Sequence, residues 1–205
     1  MLAIAKWDIL YLVVVIPTAC LGVAVANTDG DGMDEPKTLI DFSHADRGEW
    51  FAINDGVMGG VSRSGIRRTE EGTGLFAGVL SLENNGGFAS VRVALDHHDY
   101  STCAGLEIRV RGDGRTYQLR LRTDDQFDGI AYRSNFETRG GEWTTTRIPF
   151  DQFLPTFRGR TLTDVPPLET SRIRQLAFML ADKKPGPFSL EIDFVRTWKS
   201  KTIDP

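Results

Sequence analysis

Gly105-Leu-Glu-Ile-Arg-Val-Arg111 places apolar Leu106, Ile108 and Val110 at alternate positions, with Glu107, Arg109 and Arg111 between them. Successive side chains of a strand point to opposite faces, so this stretch reads as a half-buried β-strand. The next run repeats the pattern: Tyr117, Leu119 and Leu121 face one way, and Gln118, Arg120 and Arg122 the other. Asp113-Gly114 between the two runs is a strong turn signal, which predicts an antiparallel hairpin.

The same period of two appears in residues 76–82 and 188–194, where Phe188, Leu190, Ile192 and Phe194 are expected to line a core. Further strands are expected in residues 50–53, 88–95, 130–136, 144–150 and 173–180. No long amphipathic helix stands out. Ten or so short strands separated by turns predict an all-β chain, an antiparallel β-sandwich or jelly roll. A single domain is expected over residues 38–199, after a polar linker at 27–37 and before a short tail at 200–205.

Two Gly-dense loops punctuate the strands: Asn54-Asp-Gly-Val-Met-Gly-Gly-Val-Ser62 and Asn84-Asn-Gly-Gly-Phe-Ala-Ser-Val-Arg92. Glycine is placed where a backbone needs positive φ or close approach, so Gly59, Gly60, Gly86 and Gly87 read as turn chemistry. Together with Arg111-Gly-Asp-Gly-Arg-Thr-Tyr-Gln-Leu-Arg-Leu-Arg-Thr123, Pro155-Thr-Phe-Arg-Gly-Arg160 and Asp182-Lys-Lys-Pro-Gly-Pro-Phe-Ser-Leu-Glu-Ile192, these loops closely resemble the complex I intermediate-associated protein 30 family. The resemblance runs over roughly residues 39–198. It implies a galactose-binding-like sandwich, no catalytic residues, and a non-catalytic role in respiratory complex I assembly. Some members carry an additional dehydrogenase-like domain, for which this chain has no room.

The formal net charge of −4 lacks the excess of lysine and arginine that a general nucleic-acid binder needs to displace phosphate counterions. Residues 1–26 read as a secretory leader: Lys6 precedes an apolar run at 9–21, and Ala24-Val25-Ala26 offers a small-residue cleavage site. An uncleaved anchor is the alternative. The leader lacks the Arg- and Ser-rich character of a mitochondrial import sequence, so an exported protein, periplasmic or extracellular, is expected, touching a membrane only through this segment. Cys20 follows small residues as in a lipoprotein, but Pro17 stands where leucine is wanted. Cleavage after Ala26 would leave Cys103 as the only cysteine, read as a small buried hydrophobe.

Catalytic and metal motifs match poorly. Gly60-Val-Ser62-Arg-Ser-Gly65 has its closing glycine one residue late for a nucleophile elbow. Asp96-His-His-Asp99 invites a divalent ion, but adjacent histidines on extended chain diverge, and a polar turn is the better reading. The spacing from Asn27 to Gly32 imitates the start of a calcium loop, yet Thr38 occupies the position of the bidentate Glu. No cofactor, metal or enzymatic activity is expected.

Binding is the remaining expectation. Arg109, Arg111, Arg120 and Arg122 would share the outward face of the hairpin, with Arg115 at its tip and Arg92 as an extension. Guanidinium forks suit carboxylates and phosphates, unless neighbouring Asp and Glu already occupy them. Asn54, Asp55, Asn84 and Asn85 in the loops could instead hydrogen-bond sugar hydroxyls, with Trp50, Tyr117, Tyr132 or Trp143 as stacking platforms. The expected partner is therefore a protein, respiratory-complex subunits among the candidates, or alternatively a glycan bound by an exported carbohydrate-binding module.

Overall fold

The computed structural model describes residues 36–43 and 48–199. The leader, Cys20, His44, most of the linker and the tail at 200–205 lie outside the described residues. Thirteen strands build two antiparallel sheets: β1 (Thr38–Asp41), β2 (Trp50–Ala52), β3 (Arg63–Arg68), β4 (Gly74–Leu80), β5 (Ala89–Ala94), β6 (Gly105–Gly112), β7 (Thr116–Arg122), β8 (Ala131–Glu137), β9 (Trp143–Pro149), β10 (Leu154–Phe157), β11 (Arg160–Thr161), β12 (Gln175–Leu180) and β13 (Gly186–Trp198). The six-stranded sheet runs β3-β4-β13-β6-β9, with β1 also paired to β13. The seven-stranded sheet runs β11-β10-β8-β7-β12-β5-β2. The helices among the described residues are four 3₁₀ turns of three or four residues.

The alternation that defines each strand also defines the core between the sheets. Phe76, Leu106, Ile108, Val110, Leu190, Ile192 and Val195 come from the first sheet, and Val91, Val93, Tyr117, Leu119, Leu121, Leu176, Phe178 and Leu180 from the second, all at 1% exposure or less. Each such side chain contributes about 2 kcal/mol by leaving water. Phe76, Tyr117, Phe136, Phe178 and Phe188 meet in edge-on and stacked contacts at its centre.

Two expectations fail here for physical reasons. β6 and β7 are not a hairpin: β6 pairs with β13 and β9, whereas β7 pairs with β12 and β8 in the opposite sheet. Asp113-Gly114 is a corner that carries the chain across the sandwich. Gly114 takes φ +87 there, and Gly112 is packed so tightly that a Cβ would meet Thr138 at 2.5 Å. The Tyr117 hydroxyl donates to Asp113 Oδ1 at 3.0 Å or Ser189 O at 3.1 Å, which ties the corner to β13. Alternation shows which side of a strand is buried, but both sheets bury their inner sides against the same core.

The second failure is Phe194. A β-bulge between Ile192 and Phe194 inserts Asp193 unpaired, so the inward phase moves from Ile192 to Val195. Phe194 is left only half-buried, with the Arg196 guanidinium 4.5 Å from its ring centroid.

Candidate functional site

Asn54 and Asp55 of the first Gly-rich loop are tied into the fold. Asp55 is fully buried and its carboxylate accepts hydrogen bonds from Ser62 N at 2.9 Å, Ser62 Oγ at 2.5 Å, Gly87 N at 2.7 Å and Phe88 N at 3.3 Å. Burial alone would raise its pKa, but these donors outweigh that effect and hold it below the usual carboxylate value. A Cβ on Gly60 or Gly86 would fall 2.4–2.5 Å from this carboxylate, which explains the glycines on either side. Asn54 Oδ1 accepts from Ser64 Oγ at 2.6 Å and Ser90 N at 3.3 Å. Asn84 and Asn85 adopt left-handed backbone at φ 53 and φ 59, and Asn84 Nδ2 donates to Gly59 O at 3.2 Å. Asn84 and Asn85 are exposed, and so are the apolar loop residues Val57, Met58, Val61 and Leu82.

The arginines divide between the two outer faces. On the six-stranded sheet Arg109 pairs with Asp193, and Arg111 with Glu191. Arg147 and Arg196 share the buried Glu107, at 2.7 Å and 2.5 Å. Trp143 packs against Arg109 and Arg111, their guanidinium carbons 4.6 Å and 5.0 Å from its ring centroid. Arg115 clamps Asp182 through two hydrogen bonds of 2.6 Å and 2.9 Å and also reaches the carbonyls of Lys184 and Pro187. These three expected binders, Arg109, Arg111 and Arg115, are already engaged.

On the seven-stranded sheet Arg92, Arg120 and Arg122 stand with Arg133, which sequence reading did not single out. The alternation of buried Tyr132 and Ser134 around it was the available signal. Strand register aligns Phe51, Arg92, Ala177, Arg120, Arg133 and Leu154 in one row across six strands. Arg120 donates to neutral atoms: Gln118 Oε1 at 3.3 Å, Thr156 Oγ1 at 3.3 Å and Met179 Sδ at 3.0 Å. Burial, reinforced by Arg133, Arg92 and Arg122, pushes its pKa down to about 10. Arg133 meets Asn135 and Thr161 at 3.4 Å and 3.5 Å, and Arg92 reaches Phe127 O at 2.8 Å and Gln175 Oε1 at 3.3 Å. Buried nitrogens without a hydrogen-bond partner remain on three of them: Nε of Arg92 and Arg133, and Nε and Nη2 of Arg122. Among the described residues, Asp124 lies 3.7 Å from Arg122 at one end of this group, and Asp128 is paired to Arg158 at 3.0 Å.

The other sequence candidates find ordinary roles. Asp99 Oδ1 accepts from Ser101 N at 2.8 Å in a polar turn, and His98 meets Tyr100 edge-on. Among the described residues no three His, Cys, Asp or Glu side chains gather as a metal site would require. Cys103 is half-buried and packs against the core. Of the proposed sugar platforms, Tyr117 and Tyr132 are buried, Trp50 stacks between Phe42 and Phe178, and Trp143 is covered by two arginines.

The fold defines a β-sandwich of the galactose-binding-like type. It is similar to a family 11 carbohydrate-binding module from Clostridium thermocellum, solved in complex with a β-1,3-1,4-mixed-linked tetrasaccharide, with a TM-score of 0.60 at 17% identity over 80% of this chain and 96% of that one. An agarase is similar at TM-score 0.54 and 15% identity, over 83% of this chain and 25% of its own. At such identities the likeness is one of fold alone. The chain belongs to the complex I intermediate-associated protein 30 family, which it matches over residues 40–192. Relatives described as complex I intermediate-associated protein 30, mitochondrial, are 32% identical in Mus musculus, over 80% of this chain, and 30% identical in Drosophila melanogaster, over 78%. This chain spans 56% and 62% of the length of those relatives.

Those names correct one expectation. The relatives are mitochondrial proteins, which overturns the exported, periplasmic or extracellular placement read from residues 1–26. That reading rested on Lys6, an apolar run, a small-residue motif and the lack of Arg- and Ser-rich character, a pattern of low specificity. Among the described residues, no helix is long and apolar enough to cross a membrane.

Proposed function

We propose that this protein is a mitochondrial assembly factor for respiratory complex I that acts by binding protein partners and catalyses no reaction. The observation that carries the reading is 32% identity, over four-fifths of the chain, to a relative named as a complex I intermediate-associated protein. The chemistry of the sandwich supports it. Ser62, at the nucleophile position of the elbow-like motif, is buried and its hydroxyl donates to the Asp55 carboxylate inside the fold, out of reach of a substrate. The exposed Val57, Met58, Val61 and Leu82 give the loop tips an apolar character suited to a protein surface. Glycan binding has no comparable support, because the candidate platforms are buried or covered.

The test is affinity capture of the tagged full chain from its own cells after gentle detergent extraction, with identification of whatever is bound. Complex I subunits should be recovered, and fewer of them with Met58→Asp, which puts a charge on a loop tip that is 57% exposed. Recovery of no respiratory subunit would overturn the reading.

A further inference from the structure

The arginine row on the seven-stranded sheet has a form that packing does not explain. Like charges side by side in a sheet are destabilising, and buried guanidinium nitrogens without partners carry a desolvation cost. On the opposite face the same chain supplies a carboxylate for every arginine of the network described above. For Arg92, Arg120 and Arg133 it supplies hydrogen bonds from Gln118, Gln175, Asn135, Thr156 and Met179, neutral side chains, and among the described residues a carboxylate comes within 4 Å only of Arg122, where Asp124 lies at 3.7 Å. Charge is concentrated on this face in a protein whose net charge is −4.

We propose that this face receives an extended, carboxylate-bearing segment of a protein partner, lying across the strands along the row from Phe51 through Arg92, Ala177, Arg120 and Arg133 to Leu154. The proposal rests on the protein-binding reading and adds to it the surface and the chemistry of the partner. Five strand-to-strand steps of about 4.8 Å make the row about 24 Å long, the reach of about seven extended residues. A single small anion would occupy only a fraction of that length. Ala177 is the small residue between Arg92 and Arg120 in the row. Phe51 and Leu154, 52% and 51% exposed, end the row with apolar surface. The fitting segment therefore carries acidic residues at its centre and apolar ones at its ends. Guanidinium forks pair with carboxylates bidentately, and the encounter would be steered electrostatically.

The test is calorimetric titration of the full chain with a ten-residue peptide bearing glutamate at every second position. The same peptide with glutamine, inorganic phosphate and a ten-nucleotide single strand are titrated alongside. The glutamate peptide should bind saturably, at least tenfold tighter than the glutamine peptide, and weaken at least tenfold in Arg120→Gln and Arg133→Gln. Arg109→Gln, on the paired face, should change it less than twofold. Thermal melting of each variant confirms that it is folded. Equal binding by wild type and Arg120→Gln, no binding of the glutamate peptide, full displacement by millimolar phosphate, or tighter binding of the nucleotide strand would each overturn the proposal. Affinity capture separates the two readings. If wild type and Arg120→Gln recover complex I subunits equally, the surface is wrong and the assembly role stands; if wild type recovers none while the peptide still binds the row, the surface stands alone.

Discussion

On the six-stranded sheet, Glu107 accepts from Arg147 and Arg196, Glu191 from Arg111, and Asp193 from Arg109. On the seven-stranded sheet, Arg120 and Arg133 find only neutral side chains. Both strand sequences alternate arginine with apolar residues, so the difference lies in what each neighbouring strand offers at the same register. β13 presents acids beside β6, whereas β12 presents Gln175, Ala177 and Met179 beside β7. The first arrangement is a closed network that stabilises the fold. The second keeps charge available at a cost to stability, which is the pattern expected of a surface selected for binding.

The sharpest test of that difference is Glu107→Ala. It removes the buried acceptor shared by Arg147 and Arg196, whose own side chains stay solvated at 62% and 42% exposure, and the expected loss is about 2 kcal/mol in urea denaturation. Acid should act on the same network. Burial pushes Glu107 and Glu191 up, but hydrogen bonds, from Arg147 and Arg196 to the first and from Thr73 and Arg111 to the second, outweigh it and leave both below the ordinary 4.5. A folded pKa below the unfolded one means that the stabilisation is complete above about pH 4.5 and is lost as pH falls through the folded value. Glu107→Gln should flatten the stability profile below pH 4.5. Arginines stay protonated throughout that window, so Arg120→Gln should leave its shape unchanged; a changed slope would show that the two faces are not independent.

Methionine substitutions should give opposite signs on the two faces. Arg120→Met removes a desolvated charge whose charged neighbours are other arginines, and should stabilise by about 1 kcal/mol, raising Tm by about 3 °C. Arg111→Met leaves Glu191 with Thr73 alone and should destabilise by about 1 kcal/mol. If both variants melt below wild type, Arg120 is a packing element and the contrast between the faces fails.

The strands were legible because a sandwich repeats one rule, apolar inward and polar outward. Residues 105–111 and 117–121 fell within β6 and β7 on that rule alone. β3 was not legible: in Arg63-Ser-Gly-Ile-Arg-Arg68 only Ile66 is apolar, and an edge strand needs no more. The two-residue β11 is too short to show any period. The site was half legible. Arg120 and Arg122 were expected on one strand face, with Arg92 as an extension, but a turn signal cannot say whether the chain returns to the same sheet or crosses to the other. They were therefore grouped with Arg109 and Arg111 from the opposite face. Asp55 was visible as a polar loop residue, while two of its donors, Gly87 and Phe88, lie more than thirty positions away. Long-range partners decide whether a polar residue is a ligand or a tie, and sequence spacing does not contain them.

The smallest expected effect separates the faces through their aromatic contacts. Trp143 lies under Arg109 at 4.6 Å in a site where that guanidinium is also held by Asp193. A double-mutant cycle between Arg109→Ala and Trp143→Ala should return a coupling of about 0.5 kcal/mol. The counterpart on the other face is Arg92 over Phe127, at 5.7 Å, with Phe127 68% exposed. There the ring is free to leave and the guanidinium is not held by an acid, so the same cycle should return a value near zero. A Phe127 coupling as large as that of Trp143 would mean that Arg92 is fixed by its own fold. It would then be withdrawn from the row offered to a partner, and the binding surface would contract to Arg120 and Arg133.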